Sequence, residues 1–212
     1  MRSQPINTQT DLINSEVLEL VGNKTLVLPK NSGLSEYYKL LEDLPSPKLV
    51  VRGEDVPFFI DKLSSKGVRC VGLTGQDLLK EYKLKNPFAS IKEIKNLGWS
   101  DTSAIFGKPT LCLLGPVGKE LKNLDMFGAK PKIVINSKYK SIAENYLGKL
   151  IQKGYSFEKI YLSGATETAF ELGVTDLVID IVVSGSSARK VGLRVYDRIF
   201  ESEAILVGGV NE

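Results

Sequence analysis

The 212-residue chain contains no histidine, and that absence removes whole classes of chemistry. Hydrolases that depend on an imidazole base are excluded, and so is every metal centre built on imidazole nitrogens. Any proton transfer falls to a carboxylate, a lysine, a tyrosine or water. Cysteine is nearly absent too. Cys70 and Cys112 each stand inside an apolar, strand-like run, the setting of reduced, buried thiols rather than of a disulfide framework. No cluster of metal-ligating side chains is spaced along the chain. No apolar run approaches the ~18 to 20 residues of a membrane span, and no signal-peptide pattern opens the sequence, so a cytoplasmic location is expected. An excess of one charge is also missing. The 28 Lys and Arg against 25 Asp and Glu leave a formal +3 without a cationic stripe, so neither nucleic acid nor a membrane is an expected partner.

What remains is a globular composition, 42% hydrophobic and 25% charged, long enough to bury the core of one domain or of two small lobes. Leu12, Ile13, Val17, Leu18, Leu20 and Val21 form one face of a short N-terminal helix after a polar start. Residues 25–28 read as a strand, 34–44 as a helix and 48–52 as a second strand. A helix over 55–64 has Asp55 as expected N-cap and Pro57 in its first turn. A third strand at 68–73 runs into Thr74-Gly75-Gln76-Asp77, which has the form of a capping box with Asp in place of Glu. This alternation predicts a parallel α/β sheet. Between about 83 and 107 the pattern blurs, with turns marked by Pro87, Gly98 and Trp99. Strands at 110–114 and 132–135 follow, then a long amphipathic helix over 138–153. A strand at 159–162, the small turn Ser163-Gly164-Ala165 and a helix over 166–172 come next, and strand-like runs at 193–200 and 204–207 end the chain. The expected architecture is two α/β lobes with a ligand cleft between them. Residues 1–106 plus 190–212 would form a discontinuous first lobe, and 107–189 the second.

The most informative stretch is Gly173 to Leu193. Residues 177–183 form a nearly unbroken β-branched strand in which the one carboxylate, Asp180, is out of place. The strand ends in the hydroxyl-rich turn Ser184-Gly185-Ser186-Ser187, which opens a short helix through Lys190 with Gly192 as its stop. Strand, small-residue turn and helix N-terminus together present unpaired amide hydrogens and a positive dipole end, a cradle for a phosphate. Asp180, four residues ahead, is placed to take the hydroxyls of a sugar whose phosphate occupies the turn. The bland alternative is an ordinary Ser-capped helix after a buried strand, and this segment alone weighs the two about evenly. Lys30, at the carboxyl end of the first strand, is by itself more often a solvated loop residue than a ligand contact.

An acidic residue, three apolar residues and a Ser/Thr-Gly-x-Ser/Thr turn are similar to the 5-phosphoribosyl-diphosphate loop of phosphoribosyltransferases. The longer string Gly-x-x-Asp-x-x-x-Asp-Ile-Val-x-Ser-Gly-x-Ser, closed by Gly-Leu, resembles more narrowly the ATP phosphoribosyltransferase family. Five further segments fit that family in order. Leu28-Pro29-Lys30 with Leu34 is similar to its Leu-Pro-Lys-Gly-Arg-Leu, and Arg52 to Pro57 to Arg-x-x-Asp-Ile-Pro. Val71 to Asp77 resembles Leu-Gly-Ile-Thr-Gly-x-Asp, residues 136–146 resemble Thr-x-Tyr-x-x-Ile-Ala-x-x-Tyr, and Leu162 to Glu167 resembles Leu-x-Gly-Ser-Val-Glu. The chain departs from the family where Asn31-Ser32-Gly33 replaces an early arginine, where the loop threonines are serines, and where Ala188 and Val191 replace Leu and Asn.

The resemblance implies two lobes like those of type II periplasmic binding proteins. It also implies transfer of the phosphoribosyl group of 5-phosphoribosyl diphosphate to N1 of the adenine of ATP, with release of pyrophosphate, the first step of L-histidine biosynthesis. Mg²⁺ would ride on the substrate diphosphate. Carried over residue by residue, Ser184, Gly185, Ser186 and Ser187 would hold the 5-phosphate, and Asp180, with Asp176, the ribose hydroxyls. Lys30, Arg52, Asp55, Thr74, Gly75 and Gly164 would serve ATP or the diphosphate. Glu167 would line the site, and Asp180, Glu167 and Lys30 would carry the catalytic roles. The chain looks like the family's short form, which assembles with itself and with a regulatory subunit related to histidyl-tRNA synthetase. Two rival readings are a non-catalytic cytoplasmic nucleotide or sugar-phosphate binder and a phosphoribosyltransferase for another base.

Overall fold

Two sets of leucine- and β-branched-rich strands build two five-stranded sheets in the computed structural model, which describes residues 8–30, 32–120 and 130–210. In chain order the elements are α1 (Thr8–Val21), β1 (Thr25–Pro29), α2 (Ser35–Glu42), β2 (Lys48–Val51), α3 (Val56–Ser65), β3 (Cys70–Gly75), α4 (Gln76–Lys85), β4 (Ile91–Gly98) and β5 (Thr110–Pro116). There follow β6 (Lys132–Asn136), α5 (Lys140–Gln152), β7 (Glu158–Leu162), α6 (Thr166–Glu171), β8 (Leu177–Val182), α7 (Ser186–Lys190), β9 (Leu193–Glu201) and β10 (Ala204–Gly209).

The first unit comprises Met1–Thr74, Ala89–Leu97 and Ala204–Glu212. Its sheet has the order β2-β1-β3-β10-β4, and β1 runs parallel to both β2 and β3. Leu26, Val27 and Leu28 of β1 and Ile205, Leu206 and Val207 of β10 are fully buried, as continuous apolar runs covered on both faces must be. Of the apolar positions expected on α1, Val17 and Val21 are buried, whereas Leu12 and Ile13 lie outside the described side chains.

The second unit comprises Gly75–Phe88 and Gly98–Glu203, with sheet order β7-β6-β8-β5-β9. Here β6, β7 and β8 are parallel while β5 is antiparallel to both β8 and β9. The face of α5 bearing Ile142, Ala143, Leu147 and Leu150 packs on Ile133, Ile135, Leu177 and Ile179. The carboxylate of Glu81 on α4 accepts hydrogen bonds from Ser141 N at 2.8 Å and Ile142 N at 2.9 Å. It thereby satisfies two of the donors that the start of α5 would otherwise leave unpaired.

Three expectations change. The chain does not return to the first unit after the cradle helix, because β9 pairs along its whole length with β5. Residues 98–106, 190–203 and the helix α4 accordingly belong to the second unit. The stretch 91–98 is a strand whose alternation is masked by Lys92, Glu93 and Lys95; β4 is an edge, where charged side chains face water. The two predicted caps are not formed. Asp55 makes no side-chain bond to α3, and Gly75, not Thr74, precedes α4. Asp77 N instead donates to Ser202 Oγ at 3.1 Å, and Ser202 Oγ donates to Asp77 Oδ1 at 2.6 Å.

Candidate functional site

Because β6, β7 and β8 are parallel, their carboxyl ends share one edge of the second sheet, the edge at which open α/β sheets place ligands. Asn136 ends β6, Thr166 and Glu167 open the helix that follows β7, and Asp180 and the serine turn close β8. Asp180 Oδ1 accepts hydrogen bonds from Asn136 Nδ2 at 3.0 Å and from Ile181 N at 2.7 Å. Its Oδ2 accepts from Thr166 Oγ1 at 2.6 Å. Burial pushes this carboxyl above its ordinary value and the neighbouring Glu167 adds to the rise, while the bonds from Thr166, Ile181 N and Asn136 pull the other way. Gly164 (φ 138°) and Ala165 (φ 53°) both take positive φ to turn the chain into α6. For alanine that geometry costs about 1 kcal/mol or more.

The turn after β8 is held by its own hydroxyls. Ser186 N donates to Ser184 Oγ at 3.3 Å, and Ser184 Oγ lies 3.1 Å from Ser186 Oγ. Gly185 has φ 67°, the left-handed conformation that lets the chain fold back into α7. A cavity of about 180 Å³ is lined by Glu167 and by residues 181–188. Its volume suits a phosphate with part of a sugar, and the turn supplies hydroxyls and first-turn amides to meet one. Arg189, which sequence reasoning passed over, folds back so that Nη2 donates to Ser184 O at 2.8 Å. Its guanidinium is the cation beside the turn. The available signal was its place in the first helical turn after the serines. Asn136 and Thr166 were likewise missed as partners of Asp180, because only the register of β6 on β8 brings Asn136 to it.

The structure separates Asp176 from this group. It precedes β8 at the opposite end, roughly 13 Å from Asp180 at strand rise, and its Oδ2 accepts from Lys132 N at 2.8 Å. Lys30, Arg52 and the pair Thr74-Gly75 stand at the carboxyl ends of the parallel strands β1, β2 and β3, again one edge; Thr74 is the last residue of this part of the first unit and Gly75 the first of the second. Lys30 N donates to Val51 O at 2.7 Å, which sets Lys30 beside Arg52. Lys30, Arg52 and Asp55 are exposed, whereas the Thr74 hydroxyl is buried without a hydrogen-bond partner. Asn31, in the turn where the family arginine is replaced, lies outside the described residues.

A larger cavity of the second unit, about 480 Å³, is lined by residues including Glu120, Lys153, Tyr155, Arg194, Tyr196 and Asp197. Its charges balance, and it contains none of the residues singled out in the sequence. The smaller cavity is the better candidate because the end of β8, the serine turn, the start of α7 and Glu167 line it.

Comparison with known proteins bears on the family of the chain. The family model described as ATP phosphoribosyltransferase matches residues 52–211. Curated relatives of that name include one from Micrococcus luteus, 30% identical over 158 residues, covering 74% of this chain and 49% of the relative. Another, from Caldicellulosiruptor saccharolyticus, is 30% identical over 159 residues, covering 75% and 66%. A third, from Methanococcus maripaludis, is 29% identical over 206 residues, covering 97% and 60%. The chain thus spans about half to two thirds of the length of the curated relatives it matches. Among solved structures, the ATP phosphoribosyl transferase (HisG:HisZ) complex from Thermotoga maritima superposes with a TM-score of 0.66 at 20% identity, covering 89% of this chain and 88% of that one. The periplasmic aliphatic sulphonate binding protein SsuA from Escherichia coli gives 0.54 at 17% identity, covering 88% and 64%. The fold therefore agrees with the expected pair of α/β lobes of the type II periplasmic-binding class. Six ordered sequence segments, two α/β units and a family match over 160 residues lead to one conclusion: the chain belongs to the ATP phosphoribosyltransferase family.

Proposed function

We propose that this chain transfers the phosphoribosyl group of 5-phosphoribosyl diphosphate to N1 of the adenine of ATP and releases pyrophosphate, opening L-histidine biosynthesis in the cytoplasm. The observation that carries the reading is the juxtaposition of Asp180, held on both oxygens, with the Ser184–Ser187 turn and the cavity of about 180 Å³ that Glu167 also lines. The 5-phosphate sits on the amides and hydroxyls of Ser184, Gly185, Ser186 and Ser187, with Arg189 as the adjacent cation. Asp180 and Glu167 meet the ribose, where two carboxylates favour the electron-poor sugar that forms as the diphosphate departs. Lys30 and Arg52, side by side at one sheet edge, neutralise the diphosphate or the triphosphate; Asp55, Thr74, Gly75 and Gly164 complete the nucleotide contacts. Asp176 takes a structural role, since its carboxylate is engaged with Lys132 N. Mg²⁺ enters on the diphosphate of the substrate, whose oxygens are the hard ligands this ion takes. Adenine N1 carries a free electron pair, so attack needs positioning more than a strong base.

The likeness to the HisG:HisZ complex supports assembly with a subunit of the HisZ type; association with further copies of this chain is proposed beside it. No helix among the described residues is long and apolar enough to cross a membrane. The test is to incubate the chain with 5-phosphoribosyl diphosphate, ATP and Mg²⁺, with and without such a subunit, and to look for N1-phosphoribosyl-ATP by mass spectrometry. Product in either setting upholds the reading. Binding of 5-phosphoribosyl diphosphate with no product in both would transfer the chain to the non-catalytic binders, and product with another base to a different phosphoribosyltransferase.

A further inference from the structure

We infer that Thr166 is a positioning residue for the ribose, and that its hydroxyl divides recognition of two ribose hydroxyls between Asp180 and Glu167. This inference rests on the ribose assignment made above. Thr166 is fully buried at the first position of α6, and the corresponding place in the Leu-x-Gly-Ser-Val-Glu segment is an apolar valine. A buried hydroxyl requires a partner, and this one has two candidates. Its Oγ1 lies 2.6 Å from Asp180 Oδ2 and 3.1 Å from Glu167 Oε2. A hydroxyl carries one hydrogen, so the shorter contact takes it and Glu167 Oε2 keeps its lone pairs.

The acceptor count of Asp180 then sets what a ligand can find. A carboxylate offers about four acceptor positions. Asn136 Nδ2 and Ile181 N occupy both on Oδ1, and Thr166 occupies one on Oδ2. One position is left, enough for a single sugar hydroxyl. The second hydroxyl of a vicinal diol must go elsewhere, and Glu167, which lines the cavity at the serine turn and whose Oε2 lies 3.1 Å from Thr166 Oγ1, is the neighbouring acceptor. With both oxygens held, the Asp180 carboxylate cannot rotate to take the two hydroxyls itself. The groups facing it are Glu167 on α6, Asn136 on β6 and, across the β5 pairing, Cys112, which Arg198 of β9 faces in turn. Glu167 alone among these brings a like charge.

Thr166→Val deletes the hydroxyl at nearly constant shape, and Thr166→Ser keeps it. In Thr166→Val the KM for 5-phosphoribosyl diphosphate rises about ten-fold while the KM for ATP stays within about two-fold, the size expected for one lost bond to a charged group. The Asp180 carboxyl, followed by ¹³C NMR against an Asp180→Asn reference, titrates about one pH unit higher, because a bond that favours the ionised form has gone. Thr166→Ser restores both values. Thr166→Val with unchanged KM and unchanged Asp180 titration overturns the inference, as does a serine variant that behaves like valine. A wild type without turnover sinks the transferase reading but leaves the Asp180 titration readable. In that case a shift restored by serine upholds the Thr166 coupling, and an absent shift refutes it.

Discussion

Two glycine-to-alanine substitutions in the second unit should move stability in opposite directions. Gly185 has φ +67°, and a Cβ built there lies 3.0 Å from Arg189 Nη1 and 3.2 Å from Ile105 Cδ1. Left-handed backbone costs a non-glycine residue about 1–2 kcal/mol. The long arginine side chain can yield, but doing so breaks its bond to Ser184 O, worth about 0.5–1.5 kcal/mol. Gly185→Ala should therefore lose roughly 2–3 kcal/mol. Gly148, in the middle of α5, has ordinary φ and no atom within 4 Å of an added Cβ. Gly148→Ala should gain about 0.5–1 kcal/mol by restricting the unfolded chain. In a chain of this size each kcal/mol moves the melting midpoint by about 2–4 °C. Thermal melts at one pH should place Gly185→Ala roughly 4–12 °C below the wild type and Gly148→Ala roughly 1–4 °C above it. Gly185→Ala should also weaken binding of 5-phosphoribosyl diphosphate, because the displaced guanidinium leaves the phosphate turn. A Gly185→Ala protein that melts at or above wild type would refute the strained-turn description.

Glu81→Ala removes the buried carboxylate that meets Ser141 N and Ile142 N and that also pairs with Lys85 at 3.0 Å. The expected loss is about 2–3 kcal/mol in denaturant unfolding, more than an exposed cap would give, because the buried Ile142 N and the part-buried Ser141 N both lose their acceptor. Asp77 is held above its ordinary carboxyl range chiefly by burial, against opposing bonds from Ser202 and Leu78 N. A carboxyl whose folded value is raised contributes stability below its unfolded value of 3.8, and that contribution fades as pH rises through the higher folded value. Asp77→Asn should consequently flatten the pH dependence of the melt above pH 3.8; an unchanged slope would show that the carboxyl is not strained by burial.

The buried strands were legible because they are continuous apolar runs: β1, β3, β5, β6 and β8 all fall where the β-branched stretches are. The serine turn and α7 were equally plain, since Ser184-Gly185-Ser186-Ser187 carries its own turn chemistry. What escaped were features set by partners distant in sequence. β4 hides behind Lys92, Glu93 and Lys95, which an edge strand tolerates and a periodicity count does not. β9 carries no mark of which sheet it joins, because pairing with β5 is decided by register and not by composition. The expected capping box failed for a comparable reason. Ser202, 125 residues away, serves the start of α4 and leaves the Thr74 hydroxyl unused. Asp176 stood beside Asp180 in the string as a secondary ribose candidate, but four residues along a strand lead to its other end. Arg189 was visible as a residue and invisible as a contact, since its fold-back onto Ser184 O depends on a left-handed Gly185.

The central claim is that Asp180 and the serine turn act together on a phosphoribosyl group, and pyrophosphate release by wild type and by Asp180→Asn tests it most directly. Asparagine can still accept the bonds from Asn136 and Ile181 N through its carbonyl oxygen, and it removes a buried charge, so the variant should melt no lower than wild type. With 5-phosphoribosyl diphosphate, ATP and Mg²⁺ present, wild type should release pyrophosphate only when ATP is added. Asp180→Asn should be slower by on the order of a hundred-fold or more. Release by a folded Asp180→Asn protein within about two-fold of wild type would contradict the account.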